Sequence, residues 1–248
     1  MTKDTTNSEK SVHDKDMFEK KYESRFSDID KNRCFKTGAV MNLLQDISFA
    51  HATYAGIDEE RLCEYGTALL LSGWRVKFLN KLLDAEVVVK TGIMNVGRCE
   101  AARKYEIHQD GECKVIATGI WFAVNTSIRK VSRIPEAYVS AFESVSEEDN
   151  GIPFDRILPE KDTVHLGEFS VEARDIDANN HFNNVKSIEK FLEYLPEDCE
   201  LNELCVKYRK EVKVGETVSV RGKQLEKGFY LEFRNADDAV CTFAYVKK

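Results

Sequence analysis

A short string of residues occurs twice in this chain of 248 residues, and the repeat restricts the possible folds more than any other feature. Residues 28–35 read Asp-Ile-Asp-Lys-Asn-Arg-Cys-Phe. Residues 175–182, which lie 147 positions later, read Asp-Ile-Asp-Ala-Asn-Asn-His-Phe, and five of the eight positions are identical. Both copies stand between a predicted strand and a predicted helix. Since the letters and their structural context repeat together, the sequence indicates a duplicated unit and two similar halves.

The first half predicts one long helix followed by an antiparallel sheet. Apolar residues recur at steps of three and four between 37 and 54, which is the period of an amphipathic helix, and Thr37 is a suitable N-cap. The other predicted elements of this half are a short helix at 59–64 and strands at 18–26, 68–78, 86–90, 100–108 and 114–125. Asp110-Gly111 between the last two strands is a strong signal for a tight hairpin.

The second half repeats this order. Its predicted helix covers 183–195 and ends before Pro196, because proline cannot continue a helix. Its predicted strands are 164–173, 203–213, 217–225, 229–233 and 239–245. A helix wrapped by an antiparallel sheet in each half is an α+β plan. The predicted domain organisation is a disordered tail at 1–17, an N-terminal domain at 18–142, a linker at 143–162 and a C-terminal domain at 163–248.

Composition excludes several classes of function. The formal net charge of −7 argues against nucleic acid as a partner, because phosphate binding needs a clustered basic surface. The chain contains no apolar run of about 18 residues, so we expect no membrane-spanning helix. The first residues are polar and acidic, unlike a secretory signal or a plastid transit peptide. Seven scattered cysteines with no CxxC pair indicate reduced thiols in a cytoplasm.

The second copy of the repeat carries the candidate chemistry. Asp177, Asn179 and His181 stand just before a predicted helix, where N–H groups and the positive helix end stabilise developing negative charge. The imidazole of a histidine is suited to proton transfer near neutral pH. No GxSxG elbow, GxxxxGK[ST] loop or GxGxxG fingerprint offers a competing site. No cysteines or histidines stand at ligand spacing, so we expect no metal and no cofactor.

A purely structural alternative exists for the same residues. Asp177 and Asn179 could cap the helix and form Asx turns, with His181 as a polar surface residue. In the first copy the aspartate and the asparagine are kept, but Cys34 stands in the place of His181. This pattern is what duplication produces when one copy keeps the chemistry and the other keeps the scaffold.

These residues belong to stretches that resemble a known family. Residues 175–186 contain Asp-x-Asn-x-His-x-Asn-Asn, and residues 207–211 read Lys-Tyr-Arg-Lys-Glu. Further matching stretches are 41–46, 120–122, 129–130, 134–135 and 191–196. In this order they resemble the acyl-ACP thioesterases of plants and bacteria, where ACP is acyl carrier protein. The resemblance extends from about residue 18 to the C-terminus.

The resemblance implies a double hot-dog fold and a catalytic set of Asp177, Asn179, His181 and Glu211. It implies that water hydrolyses fatty acyl-ACP to free fatty acid and ACP, with either His181 or Glu211 as the general base. Val212 stands where many plant members have a cysteine, so a thiol nucleophile is excluded at that position. The lack of a transit peptide favours a bacterial, cytoplasmic enzyme. Two hot-dog units in one chain already form the usual pair, so a monomer suffices, and a homodimer stays open.

The resemblance also implies a partner and a substrate pocket. The partner is acylated ACP, presented on its phosphopantetheine arm, and the first half is expected to shape the acyl pocket. The apolar candidates for the pocket wall are Met41, Leu44, Trp74, Val76 and Trp121. The candidate contacts for the acidic carrier protein are Arg103, Lys104, Arg129, Lys130 and Arg133.

Three other functions compete with this interpretation. A hot-dog thioesterase acting on acyl-CoA would use the same site chemistry without a carrier-binding surface. A non-catalytic acyl-binding module would bind fatty acid and hydrolyse nothing. A dehydratase of the same fold is less favoured, because the sequence offers no second site with a suitably placed histidine and acid.

Overall fold

The computed structural model describes residues 17–142, 153–154, 156–177, 181–196 and 199–248. The helices within these ranges are α1 (Thr37–Tyr54), α2 (Glu59–Glu64), α3 (Glu136–Ala141) and α4 (Asn184–Leu192). The strands are β1 (Phe18–Tyr22), β2 (Thr67–Phe78), β3 (Val87–Val96), β4 (Glu100–Gln109), β5 (Glu112–Asn125), β6 (Lys130–Val131), β7 (Val164–Ser170), β8 (Glu203–Tyr208), β9 (Thr217–Leu225), β10 (Gly228–Arg234) and β11 (Val240–Lys247). Asn179, the predicted tail except its last residue and most of the predicted linker lie outside the described residues.

All of the described strands belong to one antiparallel sheet. Its order is β1-β3-β4-β5-β2-β8-β11-β10-β9-β7, and β6 pairs with β5. The halves of the chain meet where β2 pairs with β8, with Trp74 opposite Val206 and Val76 opposite Leu204. The sheet is therefore continuous from the first half into the second. The domain boundaries themselves stay a prediction.

Each half of the sheet wraps around one helix. The apolar stripe of α1, which includes Met41, Leu44 and Ile47, is fully buried, and α4 buries Ile188 and Phe191 in the same core. Helices α1 and α4 also contact each other, so the two halves share one hydrophobic core. This architecture confirms the predicted α+β tandem hot-dog. Among the described residues, no helix has the length and apolar character needed to cross a bilayer.

The two copies of the repeat form the same turn. Asp30 donates its backbone N–H to Cys34 O at 2.8 Å, and Asp177 donates to His181 O at 2.9 Å. Isolated bridges at Ile29–Phe35 and Ile176–Phe182 flank these bonds at equivalent positions. A 3-10 turn also precedes each copy. The shared bonds are what a duplicated unit requires.

Several local predictions match the structure. Helix α1 and helix α2 have the predicted bounds, and Asp110 and Gly111 form the hairpin turn with φ of 54° and 80°. Positive φ at both central residues is the geometry that favours Asp-Gly in a two-residue hairpin. For these elements, the local sequence pattern alone is therefore enough to predict the structure.

Other predictions were wrong by a few residues. Thr37 is the first residue of α1 and not its cap; Lys36 is the N-cap and makes no side-chain cap bond. The strand predicted at 203–213 ends at Tyr208, because Arg209 N and Lys210 N both donate to Cys241 O and interrupt the ladder. Glu211 consequently lies in the loop after β8 and not within a strand.

Candidate active site

The turn of the second copy holds His181 rigidly in front of α4. Asp177 Oδ1 accepts the backbone N–H of His181 at 3.0 Å, in addition to the bond in the opposite direction described above. Asn183 is the N-cap of α4, and its side chain accepts from the N–H groups of Val185 and Lys186 at 2.8 and 3.1 Å. The backbone of His181 is thus fixed from both sides.

Glu211 reaches this turn from the loop that follows β8. His181 Nε2 lies 3.0 Å from Glu211 Oε1, which puts the imidazole and the carboxylate in direct contact. Phe182 N donates to Val212 O at 3.2 Å, so a backbone bond holds the two segments beside each other. The side chains of His181 and Glu211 are 25% and 39% exposed, which leaves them accessible to a substrate.

The first half contributes a cation to this pair. Arg129 donates from Nη2 to Glu211 Oε1 at 2.7 Å, the same oxygen that faces His181. Arg129 stands in the turn between β5 and β6 with φ of 51°, a left-handed conformation that is uncommon outside glycine, asparagine and aspartate. The site is therefore assembled from both halves.

A cavity of about 640 Å³ extends from this pair into the first half. Asp177, His181 and Glu211 line it together with residues of α1, β2 and β5. The apolar part of its wall includes Phe49, Ala52, Leu69, Leu71 and Trp121. Pockets of about this size, with a mainly apolar wall and a few polar groups that fix orientation, are typical of small-molecule binding sites.

Polar side chains line another part of the same cavity. Ser48 and Trp121 line it. Both contact the hydroxyl of Tyr105, which is buried and not part of the wall: Ser48 Oγ is hydrogen-bonded to it at 2.7 Å, and Trp121 Nε1 donates to it at 3.2 Å. Arg103 also lines the cavity and is 3% exposed; its Nη1 lies 2.8 Å from His51 Nδ1. Burial and the neighbouring Arg103 guanidinium lower the pKa of His51 to about 4, so His51 is neutral and accepts this bond.

The predicted pocket residues divide into two groups. Trp121 lies on the cavity wall, as the sequence analysis proposed. Met41, Leu44, Trp74 and Val76 are fully buried in the hydrophobic core and are not part of the wall, because they fill the space between α1 and the sheet.

Two of the predicted carrier contacts are buried and cannot meet a partner protein. Arg103 is held by His51 as described, and Lys104 is 7% exposed and pairs with Glu106 at 2.8 Å. The prediction was wrong for this pair, because partners within the fold allow these two charged side chains of β4 to be buried. Arg129, Lys130 and Arg133 are exposed.

Sequence reasoning missed two features of the site. The pairing of Arg129 with Glu211 joins residues 82 positions apart, and no local pattern indicates it. Tyr208 also lines the cavity, where its hydroxyl donates to Asn184 O at 3.0 Å. Asn179, the remaining predicted catalytic residue, lies outside the described residues.

Two domain models of one protein family match successive parts of the chain. The model of the acyl-ACP thioesterase N-terminal domain matches residues 15–142, and that of the C-terminal domain matches residues 159–243. Acyl-[acyl-carrier-protein] hydrolase FATB2 of Cuphea viscosissima, described as chloroplastic, is 28% identical over 225 residues. The match covers 81% of this chain and 53% of that protein. The chain thus spans about half the length of the curated relatives it matches.

Solved structures show the same fold. An acyl-ACP thioesterase from Bacteroides thetaiotaomicron superposes with a TM-score of 0.84 at 20% identity, covering 93% of this chain and 97% of that one. A 12:0-ACP thioesterase from Umbellularia californica gives a TM-score of 0.80 at 17% identity, covering 93% and 96%. At such identities the likeness establishes the architecture.

The buried His51 predicts a dependence of stability on pH. In the unfolded chain His51 gains its proton near 6.5, whereas in the folded chain it does so only near 4. The unfolded state therefore binds more protons between these values, and the free energy of unfolding falls as the pH is lowered from 6.5 to 4. One histidine contributes a slope of at most about 1.4 kcal/mol per pH unit.

Urea denaturation at pH 7 and pH 5 measures this slope. We expect His51→Gln to reduce the slope, whatever its effect on stability at pH 7. His165→Gln, a change at an exposed histidine on β7, is the matched control and should leave the slope as it is. Equal slopes in the wild type and His51→Gln would contradict the assignment.

Proposed function

Because the chain belongs to the acyl-ACP thioesterase family, we propose that it hydrolyses the thioester of fatty acyl-ACP to free fatty acid and ACP. The observation that carries the proposal is the contact of His181 with Glu211, at 3.0 Å, on a cavity with a largely apolar wall. The cavity provides room for an acyl chain, and the pair provides a proton acceptor beside the position of its thioester.

The proposed reaction uses water as the nucleophile. The water oxygen attacks the thioester carbonyl carbon, and the His181–Glu211 pair takes one of its protons. The C–S bond then breaks, and the departing thiolate of the phosphopantetheine arm receives that proton. His181 and Arg129 both contact Oε1 of Glu211, and neither contact involves Oε2. We therefore assign the water to Oε2 of Glu211, which makes Glu211 the general base and His181 its positioning partner.

Stabilisation of the carbonyl oxygen needs donors that are not already used. Asn183 occupies the N–H groups of Val185 and Lys186, so these two helix-end groups do not serve the oxyanion as the sequence analysis expected. The amide of Asn179 stays the predicted donor for this role. Asp177 fixes the backbone of His181, so its negative charge lies close to that residue.

Charged residues near the cavity support a carrier protein as the partner. Arg209 and Lys210 line the cavity and are exposed, and Lys130 and Arg133 are exposed on the first half. These cations give a chain of net charge −7 a local basic surface that suits an acidic carrier. Arg129 is also exposed, although it is paired with Glu211.

The cellular compartment and the oligomeric state are known less precisely than the family. The curated relatives are plant proteins described as chloroplastic, and the expectation of a bacterial, cytoplasmic enzyme therefore stays a prediction. The expectation of a monomer or a homodimer stays a prediction as well.

Removal of the proposed base tests the reaction directly. Glu211→Gln keeps the size of the side chain but removes its basicity, so kcat with acyl-ACP should fall by roughly 10²–10⁴-fold. Glu226→Gln, in the exposed turn after β9, is the matched control and should turn over like the wild type. Near wild-type turnover by folded Glu211→Gln would reject the assignment of Glu211.

The internal repeat offers a second control, since it separates chemistry from turn formation. Asp177→Asn and Asp30→Asn each keep an acceptor for the turn, in which Asp30 Oδ1 accepts Cys34 N at 2.9 Å. We expect Asp177→Asn to lower kcat by roughly 10²-fold, because the charge beside His181 is lost, and Asp30→Asn to leave kcat unchanged. If steady-state kinetics gave the same small effect for both variants, Asp177 would be a turn residue only.

A further inference from the structure

Three side chains with metal-ligating atoms converge on the hairpin of β4 and β5. Glu106, His108 and Cys113 each offer one ligand atom, and these atoms all lie within 4.8 Å of one another. His108 Nε2 and Glu106 Oε2 are already in contact at 2.7 Å. All three residues are half-buried, so the group is shielded from solvent without being closed to it.

The hairpin itself produces this convergence. Glu106 and His108 are two residues apart on one strand and therefore point to the same face of the sheet. The Asp110-Gly111 turn sets the register, which pairs His108 with Cys113; the register shifts between Ile107 and His108. The spacing Glu-x-His-x₄-Cys matches no common metal motif, and for this reason the sequence analysis expected no metal.

We propose that Glu106, His108 and Cys113 bind a divalent ion of the zinc type. One carboxylate oxygen, one imidazole nitrogen and one thiolate are the donors that zinc takes in proteins, and three protein ligands leave a fourth position for water. At zinc bond lengths, tetrahedral ligand atoms lie about 3.4 Å apart, so the widest pair closes by on the order of 1 Å. On binding, the Cys113 thiol releases its proton to solvent. The His108–Glu106 hydrogen bond breaks, the His108 ring exchanges its Nε2 proton with solvent for one on Nδ1, and the freed Nε2 and Glu106 Oε2 each bind the metal.

Two lysines, Lys104 and Lys90, lie beside the cluster, and each is paired with a carboxylate. Lys104 binds the other oxygen of Glu106, Oε1, at 2.8 Å and so keeps Oε2 directed towards His108. Lys90 is the register partner of Glu106 on β3 but pairs with Glu19 at 3.1 Å. The two lysines oppose a cation, while the carboxylate and the thiolate supply two negative charges at closer range.

The metal site is separate from the candidate active site. None of its three ligands lines the cavity. Cys113 precedes Trp121 by eight residues on β5, which corresponds to about 26 Å along a strand. The ion therefore links β4 to β5 and takes no part in thioester hydrolysis. Its test is independent of the proposed function.

Titration of the full, metal-free chain with Co²⁺ tests the proposal. We expect saturation at one equivalent, with a thiolate-to-cobalt charge-transfer band in the near ultraviolet that one equivalent of Zn²⁺ abolishes. Cys113→Ser should lose the band and weaken Co²⁺ binding at least about tenfold. Cys63→Ser, at an exposed free cysteine, is the matched control and should keep both.

Two further variants keep the test decisive if Cys113→Ser fails to fold. His108→Gln and Glu106→Gln retain the thiol and should each weaken Co²⁺ binding at least about tenfold, with circular dichroism confirming the fold. Absence of the band in the wild type at equimolar Co²⁺ would overturn the proposal. An unchanged band in folded Cys113→Ser, or unchanged affinity in His108→Gln, would overturn it as well.

Discussion

The pairing of β2 with β8 is the interaction on which the rest of the molecule depends. It makes one sheet from the two halves, with Trp74 opposite Val206 in the core. An ion pair between Arg75 and Glu203, at 3.0 Å and largely shielded, reinforces the same seam. Because Glu211 follows β8 while the cavity wall includes β2, this pairing brings the polar and apolar parts of the site together. Neither half alone holds the complete arrangement.

Duplication explains why the two halves share the same turn but differ in the side chain that the turn presents. Both copies form the same turn, but only the second presents a histidine, and a different segment meets each turn. Phe35 N donates to Leu82 O in the first copy, whereas Phe182 N donates to Val212 O in the second. The first copy retains the scaffold, and its long helix and sheet supply the cavity. The second copy presents His181 to Glu211, which comes from the loop after β8.

Features encoded by neighbouring residues could be predicted from the sequence, and features that depend on tertiary packing could not. The bounds of α1 and the Asp110-Gly111 turn follow from apolar spacing and from backbone conformations that few residues adopt. The Arg129–Glu211 pair joins distant segments, and the sequence gives no sign of it. Apolar residues of the core and of the cavity wall are also alike in sequence, so Trp121 could not be told apart from Trp74 before the fold was known.

The proposed hydrolysis of acyl chains carried by ACP can be measured as the release of free thiol. Free-thiol release is followed for the wild-type chain with matched acyl-ACP and acyl-CoA substrates over a series of chain lengths. We expect fast release from acyl-ACP and little from acyl-CoA, since the basic surface beside the cavity suits an acidic carrier protein. Equal or faster cleavage of acyl-CoA, or no release from either substrate, would contradict it.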